Sequence, residues 1–233
     1  MKNTILASLC FALLACSSQK IESVEKPPAT MAARSLSQAE AAERSQRIAE
    51  VSYRISVDLT KEAAFSGKTA VRFSLRGSPA DLFLDFMEGE VSKLLINGEA
   101  ADLKLFDGQI IRLPAARLRG DAINTVEVEY QHPYNHSGNG LHQFKDPVDG
   151  KIYLYTQFEP FSAHRFFPCF DQPDLKATYE LSALAPKDWK VISSTRETSI
   201  KAESQAKRWV FPVSDRFSTY IFSLHAGPFA EWK

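Results

Sequence analysis

The feature that most limits what this chain can fold into is an apolar period of two, repeated along most of its length. Val51, Tyr53, Ile55, Val57 and Leu59 alternate with Ser52, Arg54, Ser56 and Asp58, and Phe65, Thr69, Val71, Phe73 and Leu75 alternate with Lys68, Arg72, Ser74 and Arg76. Successive side chains of a strand point to opposite faces, so such runs predict strands with one buried and one wet face. Leu82, Leu84 and Phe86 continue the pattern. Residues 91–96 run into Asn97-Gly98, and Leu103 and Leu105 run into Asp107-Gly108. Both dipeptides are hairpin signals, because their residues tolerate positive φ. Further strands are predicted over 110–113, 126–130, 179–183, 191–193, 209–213 and 220–224. Roughly ten short strands with almost no helix predict an all-β fold, an antiparallel β-sandwich or a large curved sheet. One short helix is expected first, since Ser37-Gln38-Ala39-Glu40 has the spacing of a capping box. That helix is expected to be peripheral.

With 233 residues, 44% of them apolar, the chain can build one substantial core. Its 28 basic and 28 acidic residues cancel, which argues against nucleic acid as a partner. Residues 1–15 read as an export leader: Lys2 precedes an apolar run over 5–15 that is too short to span a bilayer. Leu13-Leu14-Ala15-Cys16 resembles a bacterial lipobox, which makes Cys16 the expected lipid-bearing residue of a mature chain. The alternative is an ordinary signal peptide that happens to hold a cysteine. The lipobox reading implies a lipid anchor at the bacterial cell envelope, on the outer membrane facing the periplasm. Residues 16–35, rich in Ser, Gln, Lys, Glu, Pro and Ala, read as a flexible tether, and 36–233 as the folded domain.

The stretch from Tyr155 to Tyr179 departs from ordinary sheet composition. Gln157 and Glu159 alternate with Thr156 and Phe158, so an extended backbone points both polar groups to one face. Pro160, Pro168 and Pro173 then stop the strand from continuing. A carboxylate suits an ammonium group, and an amide can donate to a carbonyl while accepting from an N–H. The competing reading is an exposed strand face with Glu159 paired to Arg165 or Lys176. Cys169, among Phe166, Phe167, Pro168 and Phe170, reads as a buried apolar side chain rather than a nucleophile. The five histidines, His132, His136, His142, His164 and His225, form no paired-ligand helix motif. His132 and His136 are four apart, but in a loop rich in Pro, Asn and Gly. Neither Gly-x-Ser-x-Gly nor a Gly-rich phosphate loop occurs.

Taken together, Tyr155-Thr156-Gln157-Phe158-Glu159-Pro160, Arg165, the run from Phe167 to Pro173 and Lys176-Ala177-Thr178-Tyr179 resemble the amino-terminal domain of the aminopeptidase N family of zinc metallopeptidases. Gly140-Leu141-His142 and the Asp146 to Gly150 run add to the likeness, which extends from about Leu36 onward. The resemblance implies a saddle-shaped β-structure packed on a separate zinc-bearing catalytic domain. It implies that Glu159 helps hold the free α-amino group of a peptide and that Gln157 lines the pocket for its first residue. Family members often carry glutamate where Gln172 stands. The family's His-Glu-x-x-His helix and its Gly-x-Met-Glu-Asn loop do not occur in the sequence. The expected catalytic residues, metal ligands and cofactor of this chain are therefore none, with zinc belonging to the catalytic domain. The chain is expected to be inactive alone, as a truncated product or one piece of a split enzyme, and its face toward the missing domain to be exposed and apolar. The alternative is a non-enzymatic envelope lipoprotein that binds peptides or other partners.

Overall fold

The computed structural model describes residues 35–232. The leader, Cys16 and nearly all of the tether lie outside the described residues. The elements are α1 (Gln38–Arg47) and then strands β1 (Ile48–Asp58), β2 (Ala64–Leu75), β3 (Leu82–Asp85), β4 (Glu90–Ile96), β5 (Glu99–Ala100), β6 (Ile110–Leu113) and β7 (Ala122–Pro133). They continue with β8 (Gly140–Lys145), β9 (Ile152–Gln157), β10 (Ala177–Pro186), β11 (Lys190–Ser193), β12 (Ser199–Glu203), β13 (Ala206–Val210) and β14 (Leu224–Gly227). An eight-stranded sheet runs β12-β13-β10-β1-β2-β7-β4-β5, a four-stranded sheet runs β11-β14-β9-β8, and β3 pairs with β6. The fold is all-β, as the alternation predicts.

Three local expectations change. Most pairs are antiparallel, but β1 pairs with β10 in parallel over Val51–Asp58 and Ala177–Leu184, so the large sheet is mixed. Leu103–Leu105 forms a 3-10 turn rather than a strand, because the Asp102 side chain accepts from the Lys104 N–H and caps it. Likewise Thr219–Ile221 is a 3-10 turn, with the strand beginning only at Leu224. Asn97-Gly98 behaves as predicted: both residues have positive φ, 53° and 85°, in the tight turn from β4 to β5.

The inner face of the large sheet carries Tyr53, Ile55, Phe65, Val71, Phe73, Val126, Val128, Tyr179 and Leu181, all buried. The small sheet contributes Leu141, Leu154, Val191, Leu224 and Ala226 to the same core. Between them lies the aromatic run of the central stretch. Phe167 meets Tyr53 edge-on at 5.4 Å, Phe166 packs on Phe65 at 5.4 Å, and Phe158 stacks over Phe166 at 5.8 Å. Residues 166–170 are thus filling between the sheets. The outer face of the large sheet is polar, with cross-strand ion pairs such as Arg54–Glu180 at 2.8 Å and Lys68–Glu127 at 3.2 Å.

The helix is less peripheral than the sequence suggests. Its capping box forms as expected between Ser37 and Glu40. One turn later Arg44 is buried between the rings of Phe83 and Phe170. Its Nη2 donates to Asp85 Oδ2 at 2.9 Å, with both side chains more than nine-tenths covered. The same carboxylate oxygen accepts from the Asp171 N–H at 3.0 Å. Gln172 Nε2 donates to the Ala41 carbonyl and to Ser45 Oγ, which fastens the helix a second time.

A buried ion pair broken on one side leaves an uncompensated charge, so Arg44→Met is expected to cost about 3–5 kcal/mol in urea denaturation. Asp85→Asn, which keeps the shape, is expected to leave α1 detached as judged by loss of far-ultraviolet helical signal.

Candidate functional site

β9 ends at Gln157, whose backbone partner across the ladder is Gly140 at the start of β8. Phe158 follows with 1% exposure and anchors the chain in the aromatic core. Glu159 lies beyond the strand, joined to Pro160 by a cis peptide. Gln157 and Glu159 are both exposed, one on either side of the buried Phe158. The alternation read from sequence therefore places both polar groups on the wet side. Neither Arg165 nor Lys176 binds Glu159: the Arg165 guanidinium pairs instead with Glu88, on the turn that follows β3. Among the described residues neither the Gln157 amide nor the Glu159 carboxylate has a protein partner, so both are available to a ligand.

The turn beyond Glu159 is tightly tied. The Ser162 N–H donates to the Phe158 carbonyl at 2.8 Å, and the Arg165 N–H to the Ser162 carbonyl at 3.2 Å. His164 is buried, and its N–H and Nδ1 both donate to Asp171 Oδ2, at 3.1 and 2.7 Å. Thr219 Oγ1 donates to the other carboxylate oxygen at 2.7 Å. The His164 carbonyl accepts from the Met87 N–H at 3.0 Å. Ser162, His164, Asp171 and Thr219 are all buried, so their work is to fix the turn.

Sequence reasoning did not find the face on which Gln157 stands. Cross-strand partners form a row across the small sheet, Ile192 beside His225, His225 beside Tyr155, and Tyr155 beside His142. These residues share the outward face with Gln157, since 155 and 157 have the same parity. Ile192, Phe144 and Tyr155 are exposed by 54, 45 and 39%, large values for apolar side chains of one small sheet. The His142 ring lies 4.8 Å from Tyr155 and 6.4 Å from His136. The His142 Nδ1 accepts from the Gly138 N–H at 3.0 Å. Partial burial, then the neighbouring His136, lower the proton affinity of His142, and burial lowers that of His225. The signal that could have exposed this face is the second parity of β8 and β9, where His142, Phe144, Tyr153 and Tyr155 stand where a solvated strand would carry small polar groups.

His132 and His136 do not converge. His132 is buried against Phe65 with a Pro133 carbonyl 2.7 Å from Nδ1 and a Met87 carbonyl 2.8 Å from Nε2, whereas His136 is exposed. Both neighbours of the His132 ring are acceptors, yet burial wins and lowers its proton affinity. Cys169 is fully buried, and burial, then Asp171 and Asp85, push its thiol far up, so it is no nucleophile. Among the described residues no three His, Cys, Asp or Glu side chains gather as a metal ion requires.

With this geometry in hand, comparison with known proteins decides the family. The peptidase M1 N-terminal domain matches residues 49–221. The chain belongs to the peptidase M1 N-terminal domain family. It is 37% identical over 198 residues to an aminopeptidase N from Streptomyces lividans, covering 83% of this chain and 22% of that protein. A glutamyl aminopeptidase of Mus musculus is 28% identical over 184 residues, covering 72% of this chain and 20% of its own. An aminopeptidase N of Acetobacter pasteurianus is 29% identical over 192 residues, covering 77% and 53% respectively. The chain thus spans about a fifth of the Streptomyces relative. The match includes Gln157, Glu159 and the turn behind them.

The lowered proton affinity of His132 has a defined consequence. The unfolded chain takes up a proton near pH 6.5 that the folded ring resists, so stability present above pH 6.5 is lost as the pH falls below it. The urea midpoint is expected to fall on acidification from that pH, and His132→Gln to flatten the fall.

Proposed function

We propose that this chain supplies the substrate-anchoring part of an aminopeptidase, holding the free amino terminus of a peptide for a catalytic part that bears the zinc. The observation that carries the reading is the pair Gln157 and Glu159, exposed and unpartnered at the end of β9 within a domain of this family. A carboxylate facing an ammonium forms charge-assisted hydrogen bonds that a blocked amino terminus cannot, which selects for cleavage from the end of a chain. The Gln157 amide satisfies a peptide group at the first residue.

The catalytic part docks on the outward face of the small sheet. Support comes from the exposed row of Ile192, Tyr155 and Phe144, from the histidines interleaved with it, and from the continuity of that face with Gln157. The Streptomyces lividans relative, an aminopeptidase N, has length beyond the 22% that this chain covers, which leaves room for such a part. The chain itself carries none of the zinc-binding motifs, so it positions substrate and does no hydrolysis alone. When bound in the catalytic part, the zinc would activate water and polarise the scissile carbonyl. A lipid on Cys16 holds the assembly at the bacterial envelope, on the periplasmic side of the outer membrane.

Mixing this chain with the uncovered portion of the Streptomyces lividans relative is expected to produce hydrolysis of leucine amide that neither component shows alone. Glu159→Ala is expected to lower kcat/KM by about 10- to 100-fold, the value of one charge-assisted hydrogen bond. Activity indifferent to that change would overturn the assignment. Incorporation of labelled palmitate, present in the wild-type chain and lost in Cys16→Ala, tests the anchor.

A further inference from the structure

Gln157 and Glu159 are held by different means. Gln157 belongs to the β8–β9 ladder through Gly140. Glu159 lies outside any ladder, so its place relative to Gln157 is set by the turn 158–165. One end of that turn is the buried Phe158. The other end is Arg165, reached through the successive bonds from Ser162 to Phe158 and from Arg165 to Ser162.

Arg165 is braced twice. A Cβ built on Gly140 would stand 2.9 Å from the Arg165 Cβ and 3.0 Å from its carbonyl oxygen. The Arg165 backbone therefore occupies the space where any other residue at 140 would carry its side chain. Gly140 and Gln157 are cross-strand partners, so their side-chain directions share a face. The turn thus folds down beside Gln157, on the face Gln157 presents. Gly140 also has φ +66°, a conformation that favours glycine independently of the contact. The second brace is Glu88, which grips the Arg165 guanidinium from the turn after β3. The two side chains are 24% and 13% exposed, respectively. Glu88 sits at φ +65°, and the preceding residue is itself fixed, its N–H by the His164 carbonyl and its own carbonyl by His132 Nε2.

We propose that Arg165, seated on Gly140 and held by Glu88, is a positioning residue that sets Glu159 relative to Gln157. It rests on the reading above that these two groups meet the first residue of a substrate. The Arg165 guanidinium is directed to Glu88 and not to Glu159. Its charge is used to fasten the turn, which is why it is not free to neutralise Glu159. Lysine at 165 would keep the charge but carry it on a compact ammonium in place of the planar guanidinium that contacts Glu88.

The test is by nuclear magnetic resonance on the full chain, comparing wild type with Gly140→Ala, Arg165→Met, Arg165→Lys and Glu88→Gln. Residual dipolar couplings of amides 158–162 are expected to change in all four variants, least in Arg165→Lys, while those of β8 and β9 beyond Gly140 stay as in wild type. Should Gly140→Ala fail to fold, Glu88→Gln, which changes a partly exposed side chain on a separate turn, decides the matter. Unchanged couplings at 158–162 in Arg165→Met and Glu88→Gln would overturn the proposal, whatever the chain binds. Titration with leucine amide, read on the Gln157 side-chain amide, is expected to give affinity about fivefold weaker in Arg165→Met than in wild type, with acetylated leucine amide ineffective in both. Equal affinity in wild type and Arg165→Met, with a weaker Glu159→Ala, would also reject the positioning role. No response of wild type to leucine amide would instead reject the anchoring function.

Discussion

The carboxylate of Asp85 is the constraint on which the rest depends. Placed at the end of β3 and almost wholly buried, it must be paired, since an isolated charge in that environment is too costly to persist. It receives Arg44 from the helix and the Asp171 N–H from the far end of the aromatic run. Asp171 in turn collects His164 and Thr219. Groups from four separate parts of the sequence are thus tied through two neighbouring carboxylates. Once they are in place, the backbone between 158 and 172 has little freedom, and the residues at its exposed start inherit that rigidity. A network of this kind adds less stability than an apolar packing of equal volume, but any other arrangement of these segments would strand a buried charge.

Much of the fold could be read from residues alone, because alternation is a local property. Tyr53, Ile55 and Val57 face inward in the structure as their spacing requires, Asn97-Gly98 turns the chain, and Ser37 with Glu40 starts the helix. Sequence fails where tertiary partners decide. The parallel pairing of β1 with β10 joins segments more than a hundred residues apart, and neither strand's pattern differs from that of an antiparallel one. Leu103 and Leu105 share strand-like parity, but Asp102 caps a turn there instead. Arg44 looks like the wet face of a small helix until Phe83, Asp85 and Phe170 are brought around it. The same holds at the site. Gln157 and Glu159 were legible because a large apolar residue stands between them. The partner of Arg165 was not, since Glu88 is far away in sequence while Glu159 is close. Gln172 is similar: its amide donates to the Ala41 carbonyl, which an ionised glutamate there could not do.

The two sheets carry opposite surfaces. The outer face of the large sheet has cross-strand ion pairs and, apart from Ile123, mostly polar groups at its exposed positions, as suits contact with water. The outward face of the small sheet bears tyrosine, isoleucine, phenylalanine and histidines with lowered proton affinity. Surfaces of this second kind are ordinarily covered. Because Gln157 stands two residues along β9 from Tyr155, beside that row, a partner lying on it would bring its own groups next to Gln157.

Hydrogen–deuterium exchange of the chain, alone and mixed with the uncovered portion of the Streptomyces lividans relative, examines this most directly. Slower exchange on mixing is expected in β8, β9, β11, β14 and the turn 158–165, with no change in the middle of β1, β2 and β7. Slowing confined to those three strands of the large sheet, or no slowing anywhere, would rule out docking on the small sheet.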